Sequence, residues 1–335
     1  MHANPITPVY LLTGFLGSGK TTLLNDALDY CTEAGLKPAV IMNEIGDINI
    51  DGQLVGPEVP MAELLNGCIC CTISGDLGMT LYSLYRDERP DVIFIESTGV
   101  ANPLDVIDSI TEGSLLVQVE LKRIVTVIDA SFFLNVRARG KGKSQRLMEE
   151  QIRSAGWLIV NKSDLVTAEQ LREAEHALRE LNPHAPIRAT VHCKGGLDFM
   201  TMPHPTVGMD IRSTGRVCES VDCNHDHHHD QHHHLQSEGH SHSYDHVMVY
   251  THFFTGPIDR TRFEQMIRTL PEQVYRAKGI VRFIGDDRPH MFQYAYRELN
   301  VFPITPRSEV PDAAVFIGEQ FSGAEASELI ARFCG

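Results

Sequence analysis

Short, almost wholly apolar runs rich in β-branched residues recur through the first ~190 residues, at 9–13, 39–43, 92–96, 124–129 and 157–161. Runs of that length without polar alternation predict parallel strands covered on both faces. Between them the apolar spacing lengthens to that of helices. One helix is expected from Lys20 to about Ala34, with Gly35 as the residue just past its end. Another opens at Thr167, where Thr167-x-x-Gln170 has the form of a capping box. Strands alternating with helices mean βαβ units, and so an α/β fold built on a doubly wound parallel sheet.

From about 203 to 245 the periodicity vanishes and Pro, Asp, Ser and His dominate, which reads as a flexible linker. The pattern returns at 247–254, followed by a Gly256-Pro257 turn and a helix from about Asp259 to Leu270. Strands around 274–284, 292–296 and 314–317 come next. Ser322-x-x-Glu325 then reads as a second capping box, opening a last helix to about Phe333. Runs of strands with two helices on one side predict a small C-terminal α+β domain. The expected division is a nucleotide-type domain over 1–200, a His-rich linker over 201–245 and the small domain over 246–335. No internal repeat is found.

Composition narrows the function classes. The 335 residues are 42% hydrophobic and 22% charged, enough for a sizeable core. Forty-four acidic against 29 basic side chains give a formal charge of −15, which argues against binding nucleic acid through its phosphates. No apolar run approaches the ~18 residues of a membrane span. The start, Met1-His2-Ala3-Asn4-Pro5, has neither the basic nor the apolar region of a signal peptide. A cytoplasmic protein without nucleic-acid or membrane partners is expected. Ten of 17 His lie between 225 and 246, and three of eight Cys between 68 and 71. In a cytosolic chain such clusters point to metal or redox chemistry rather than to a disulfide frame.

Gly14-Phe15-Leu16-Gly17-Ser18-Gly19-Lys20-Thr21 fills every fixed position of G-x-x-x-x-G-K-[ST], between the first strand and the first helix. Such a loop wraps a phosphate in backbone N–H groups, which here would come from Gly14, Gly17, Ser18, Gly19, Lys20, Thr21 and Thr22. Lys20 would reach the β- and γ-phosphates, and the Thr21 hydroxyl would ligate Mg²⁺. Asn161-Lys162-Ser163-Asp164 ends a later strand, where a base-reading loop belongs. The Asp164 carboxylate can accept from guanine N1–H and N2–H₂ together, and adenine offers neither donor, so the expected nucleotide is GTP. Glu96-Ser97-Thr98-Gly99 ends the third strand. Glu96 there would hold Mg²⁺ through a water, a role as general base being the alternative, and the Gly99 N–H would meet the γ-phosphate.

Gly67-Cys68-Ile69-Cys70-Cys71 carries the most specific chemistry. Three thiolates bind Zn²⁺ and leave a fourth position for a carboxylate, imidazole or water. Oxidation of neighbouring thiols is the rival use. The cysteines and the acidic stretch of Glu44, Asp47 and Asp51 fall between the phosphate loop and Glu96, the interval that rearranges with the γ-phosphate in GTPases. Glu44 is the favoured carboxylate ligand to the thiolate metal, with Asp47 or Asp51 serving Mg²⁺ instead. The tract containing His227, His228, His229, His232, His233 and His234, with Cys218 and Cys223 upstream, offers several weak sites for Zn²⁺, Ni²⁺, Co²⁺ or Cu²⁺.

Together these elements resemble the CobW-like family of P-loop metallochaperone GTPases. The later Val274-Tyr275-Arg276-Ala277-Lys278-Gly279 and Phe292-Gln293-Tyr294 resemble that family's C-terminal domain. The resemblance implies slow GTP hydrolysis coupled to delivery of Zn²⁺ or Co²⁺ to a client metalloprotein. It departs at Asp47, where the family is expected to carry Glu. Two other readings stay open: a cobalt- or iron-inserting GTPase serving cobalamin synthesis or nitrile hydratase, and a His-rich store of metal. The client and any homo-oligomer are not specified by the sequence.

Overall fold

The computed structural model of the chain describes residues 6–43, 59–63, 73–99, 101–140, 142–202, 247–295, 297–306, 310–319, 321 and 323–334. Seven strands form one all-parallel sheet: β1 (Thr7–Thr13), β2 (Pro38–Asn43), β3 (Met61–Glu63), β4 (Val92–Ser97), β5 (Val119–Asp129), β6 (Trp157–Asn161) and β7 (Ile187–Ala189). Their order is β3-β2-β4-β1-β5-β6-β7, so the sheet is doubly wound as expected. The strand period of two sorts the side chains onto two faces. Tyr10 and Leu12 join Val40, Met42 and Phe94 under helix α1 (Lys20–Glu33), which buries Leu23, Leu24, Ala27, Leu28 and Cys31. Val9 and Leu11 join Ala39, Ile41, Ile93 and Ile95 on the other face, under α2 (Ile73–Glu88) and α3 (Pro103–Ser114). Further along that second face, α4 (Ala130–Arg139), α5 (Lys143–Arg153) and α6 (Ala168–Leu181) cover Ile128, Leu158 and Val160.

Local signals place the helix ends. Gly35 takes φ 73° and lets the Leu36 N–H reach Cys31 O at 2.9 Å, closing α1. Thr167 and Gln170 make both bonds of the capping box before α6. Asn102 caps α3, with Pro103 at its first position. A single helical turn, α7 (Asp198–Thr201), then ends the described part of this unit, adding Phe199 to the α1 face.

The second sheet is antiparallel, from β8 (Val247–Phe253), β9 (Val274–Phe283), β10 (Asp286–Ala295), β11 (Glu298–Pro303) and β12 (Ala313–Glu319), in the order β11-β10-β9-β12-β8. Helices α8 (Arg260–Arg268) and α9 (Gly323–Cys334) both cover one face, meeting Ala314 and Phe316. The alternate residues Ala313, Val315 and Ile317 turn the other way. They complete a single apolar layer with Leu77 and Leu81 of α2 and Ile107 and Ile110 of α3.

Several elements extend past their sequence-derived bounds. β5 starts at Val119 rather than 124, β10 at Asp286 rather than 292, and β11 has no apolar run to announce it. The expected linker lies almost wholly outside the described residues, as does Ser322 of the second capping box. Among the described residues, no helix is long and apolar enough to cross a membrane.

Candidate functional site

The C-terminal ends of β1, β4, β5 and β6 lie side by side, with Leu12 opposite Glu96, Thr13 opposite Thr126 and Asp129 opposite Asn161. This edge is where open α/β sheets bind ligands, because the strand-to-helix loops converge there. The loop from Gly14 to Gly19 turns directly into α1. Gly14 has φ 128°, and a Cβ there would lie 2.1 Å from Val127 O, so only glycine fits. Lys20 is buried, and its ammonium donates back across the loop to Phe15 O at 3.2 Å. The Ser18 hydroxyl is buried and makes no hydrogen bond among the described residues. A glycine loop at a helix N-terminus, with a buried hydroxyl to spare, suits a phosphate.

Thr21 donates its hydroxyl proton to Glu96 Oε1 at 2.9 Å, so the first turn of α1 and the end of β4 meet there. Thr22, next along the helix, is exposed. Two hard oxygen donors in contact, beside a phosphate cradle, are a fitting donor set for Mg²⁺. Gly99 follows three residues later. A Cβ on it would lie 2.5 Å from Leu16 N, so this backbone rests on the phosphate loop itself. The neighbouring Thr98 hydroxyl is also buried without a hydrogen bond among the described residues.

Asn161 is buried at the end of β6, and its amide is used in full view of the loop. Nδ2 donates to Ser18 O at 2.8 Å, while Oδ1 accepts from Cys193 N at 2.9 Å and from the Thr190 hydroxyl at 3.2 Å. It therefore braces the phosphate loop against the loop after β7. Lys162 takes a left-handed φ of 57° and pairs with Asp129 Oδ2 at 2.8 Å. Asp164 sits exposed in a one-turn 3₁₀ helix, Ser163–Leu165.

The loop 190–193 is a part of the site that sequence reading misses. His192 and Cys193 have φ of 51° and 59°. Left-handed backbone costs non-glycine residues of order 1–3 kcal/mol and persists where surroundings enforce it. Asn161 does so here. The Cys193 thiol is buried against Gly19 O at 3.4 Å, and burial pushes its pKa up to about 12. Asp129 is the other omission: besides pairing Lys162, it caps α4 through Phe132 N.

The structure thus brings Gly14, Gly17, Ser18, Gly19, Lys20, Thr21, Glu96, Gly99, Asn161 and Lys162 to one edge. Glu44, Cys68, Cys70, Cys71 and His227, His228, His229, His232, His233 and His234 lie outside the described residues. Among the described residues, no three His, Cys, Asp or Glu side chains converge as a metal site.

Residues 8–189 match the CobW/HypB/UreG nucleotide-binding domain, and residues 248–334 match the cobalamin synthesis protein cobW C-terminal domain. The zinc-regulated GTPase metalloprotein activator 1 of Schizosaccharomyces pombe is 33% identical over 334 residues, covering 91% of this chain and 78% of that protein. Its Dictyostelium discoideum namesake is 33% identical over 212 residues, 53% of this chain and 44% of that one. Zinc chaperone YjiA of Escherichia coli is 35% identical over 204 residues, 58% and 60% of the two chains. The matched stretch thus spans about half the length of two of these three relatives. With its nucleotide-binding part and most of its length matched, the chain belongs to the CobW/HypB/UreG family.

Proposed function

We propose that the chain is a GTP-hydrolysing metallochaperone that carries Zn²⁺ to a client metalloprotein. The observation that carries this reading is the Thr21–Glu96 contact at the mouth of a glycine loop, at the same sheet edge as Asn161. The names of the relatives, zinc chaperone and zinc-regulated GTPase metalloprotein activator, support the metal.

In this reading the N–H groups of Gly14, Gly17, Ser18, Gly19, Lys20, Thr21 and Thr22 surround the phosphates, and Asp164 reads guanine. Lys20 would exchange its loop carbonyl for the β- and γ-phosphate oxygens. Thr21 directly, and Glu96 through water, would hold Mg²⁺, which neutralises charge on the phosphate oxygens. The Gly99 N–H faces the γ-phosphate. Water attacks the γ-phosphorus as its bond to the bridging oxygen breaks, giving GDP and phosphate. Cys68, Cys70, Cys71 and Glu44 hold the cargo, and the His tract adds weaker capacity.

Zinc titrations of the full chain, with a non-hydrolysable GTP analogue and again with GDP, test the coupling. Comparison with a Cys68→Ser, Cys70→Ser, Cys71→Ser chain separates this site from the His tract. A ~5- to 150-fold difference in the cysteine-dependent affinity is expected between the two nucleotide states. Equal affinities would leave a passive metal clip and end the chaperone reading.

A further inference from the structure

Gln151 lies on α5, remote from every sequence motif of the site, yet it is 1% exposed. Glutamine is seldom buried so completely, and when it is, its amide has a task. Its Nε2 donates to Gly99 O at 3.3 Å. Its own backbone oxygen accepts the Thr126 hydroxyl at 2.9 Å, and Thr126 in turn meets the Thr13 hydroxyl at 2.8 Å. Thr126 has one hydroxyl proton, and the bond to Gln151 uses it, so Thr13 must be the donor in the pair. The chain of bonds therefore runs from Thr13, the residue before the phosphate loop, through β5 to α5, and returns through the Gln151 amide to Gly99.

Gly99 is thereby gripped between two supports. In front, its backbone rests on Phe15 and Leu16 of the loop, and behind, Gln151 holds its carbonyl. The amide orientation is fixed by this bond, since a flipped amide would set oxygen against oxygen. That leaves Gln151 Oε1 buried with no hydrogen-bond partner among the described residues, a cost that packing alone does not explain.

We infer that Gln151 is a positioning residue for the γ-phosphate contact: it pins Gly99 against the phosphate loop so that the Gly99 N–H is presented to GTP. The inference rests on the GTPase reading above and adds a residue to it. GDP engages the loop and the base-reading segment but has no γ-phosphate to meet Gly99, so the effect is confined to GTP.

The test compares affinities for a non-hydrolysable GTP analogue and for GDP in the full chain, in Gln151→Met and in Gln151→Leu. Methionine keeps the volume and removes the donor; leucine removes the donor with a shorter apolar side chain. Both variants should bind the GTP analogue about tenfold more weakly while GDP affinity stays within about twofold, and GTP turnover should fall in step. If methionine prevents folding, the leucine variant decides. Parallel losses for GTP and GDP, unchanged GTP affinity in a folded variant, or failure of both variants to fold would each overturn the positioning role. A native chain that bound neither nucleotide would instead overturn the GTPase reading beneath it.

Discussion

Lys278, on the middle strand of the C-terminal sheet, donates its ammonium proton to the backbone oxygen of Asp108 on α3 at 2.9 Å. The same ammonium reaches Glu112 Oε1 at 3.3 Å, and Arg276 pairs with the Asp108 carboxylate. Lys278 is buried while Glu112 is half exposed. Truncating one partner of a buried pair strands the other charge, which is worse than replacing that charge with an apolar group. Glu112→Ala should therefore cost about 1–2 kcal/mol, discounted from a fully buried pair because Glu112 is wet. Lys278→Met should cost less. Urea midpoints of the two variants give the order, and the reverse order would refute the account.

Alkaline pH sets two kinds of group against each other. Burial pushes the thiols of Cys31 and Cys334 up to about 11 and that of Cys193 to about 12, from an ordinary 9.0. Above about pH 9 the unfolded chain has lost thiol protons that the folded chain keeps, so stability falls as pH rises. Lys278 acts with the opposite sign: burial, only partly offset by Glu112 and Asp108, holds its pKa below the ordinary 10.5. The folded chain sheds that proton first, and stability from this group rises with pH in the window below 10.5. Three thiols should outweigh one lysine. Denaturant melts between about pH 8 and 10.5 should show a net decline that is shallower in Cys193→Ala. An equal or steeper decline in that variant would contradict the assignment.

Guanine selection has a sharper test. Asp164→Asn places an amide donor against a guanine N–H and should weaken GTP by at least tenfold, about 1.4 kcal/mol. Competition between labelled GTP and ATP measures it. Equal affinity for the two nucleotides in the native chain would remove Asp164 from the base-reading role.

How far the sequence reveals this molecule depends on what each segment faces. β6 is legible to the residue because all five of its side chains are buried, with Trp157 to Val160 an unbroken apolar run that ends at Asn161. The first half of β5 is hidden from that test: Glu120, Lys122 and Arg123 interrupt it, although Arg123 is buried with its guanidinium on Phe199 O and Met202 O. β11 is a sheet edge with four of its six positions exposed, and Glu298 and Asn300 break its apolar residues into pieces too short to read as a strand. In the site, the glycine loop and Asp164 announce themselves through fixed spacing. Thr190, Cys193 and Gln151 do not, because their roles come from tertiary contacts with Asn161 and Gly99 rather than from any local pattern.

Leu77 and Ile107 on one side and Val315 and Ile317 on the other share a single apolar layer, flanked by the contacts of Lys278 and Arg276 with α3. A protease that cut anywhere within 203–246 would therefore nick the backbone without parting the molecule. The two pieces would travel as one particle until denaturant pulled them apart, and each would then carry half of a greasy seam that only the other can cover.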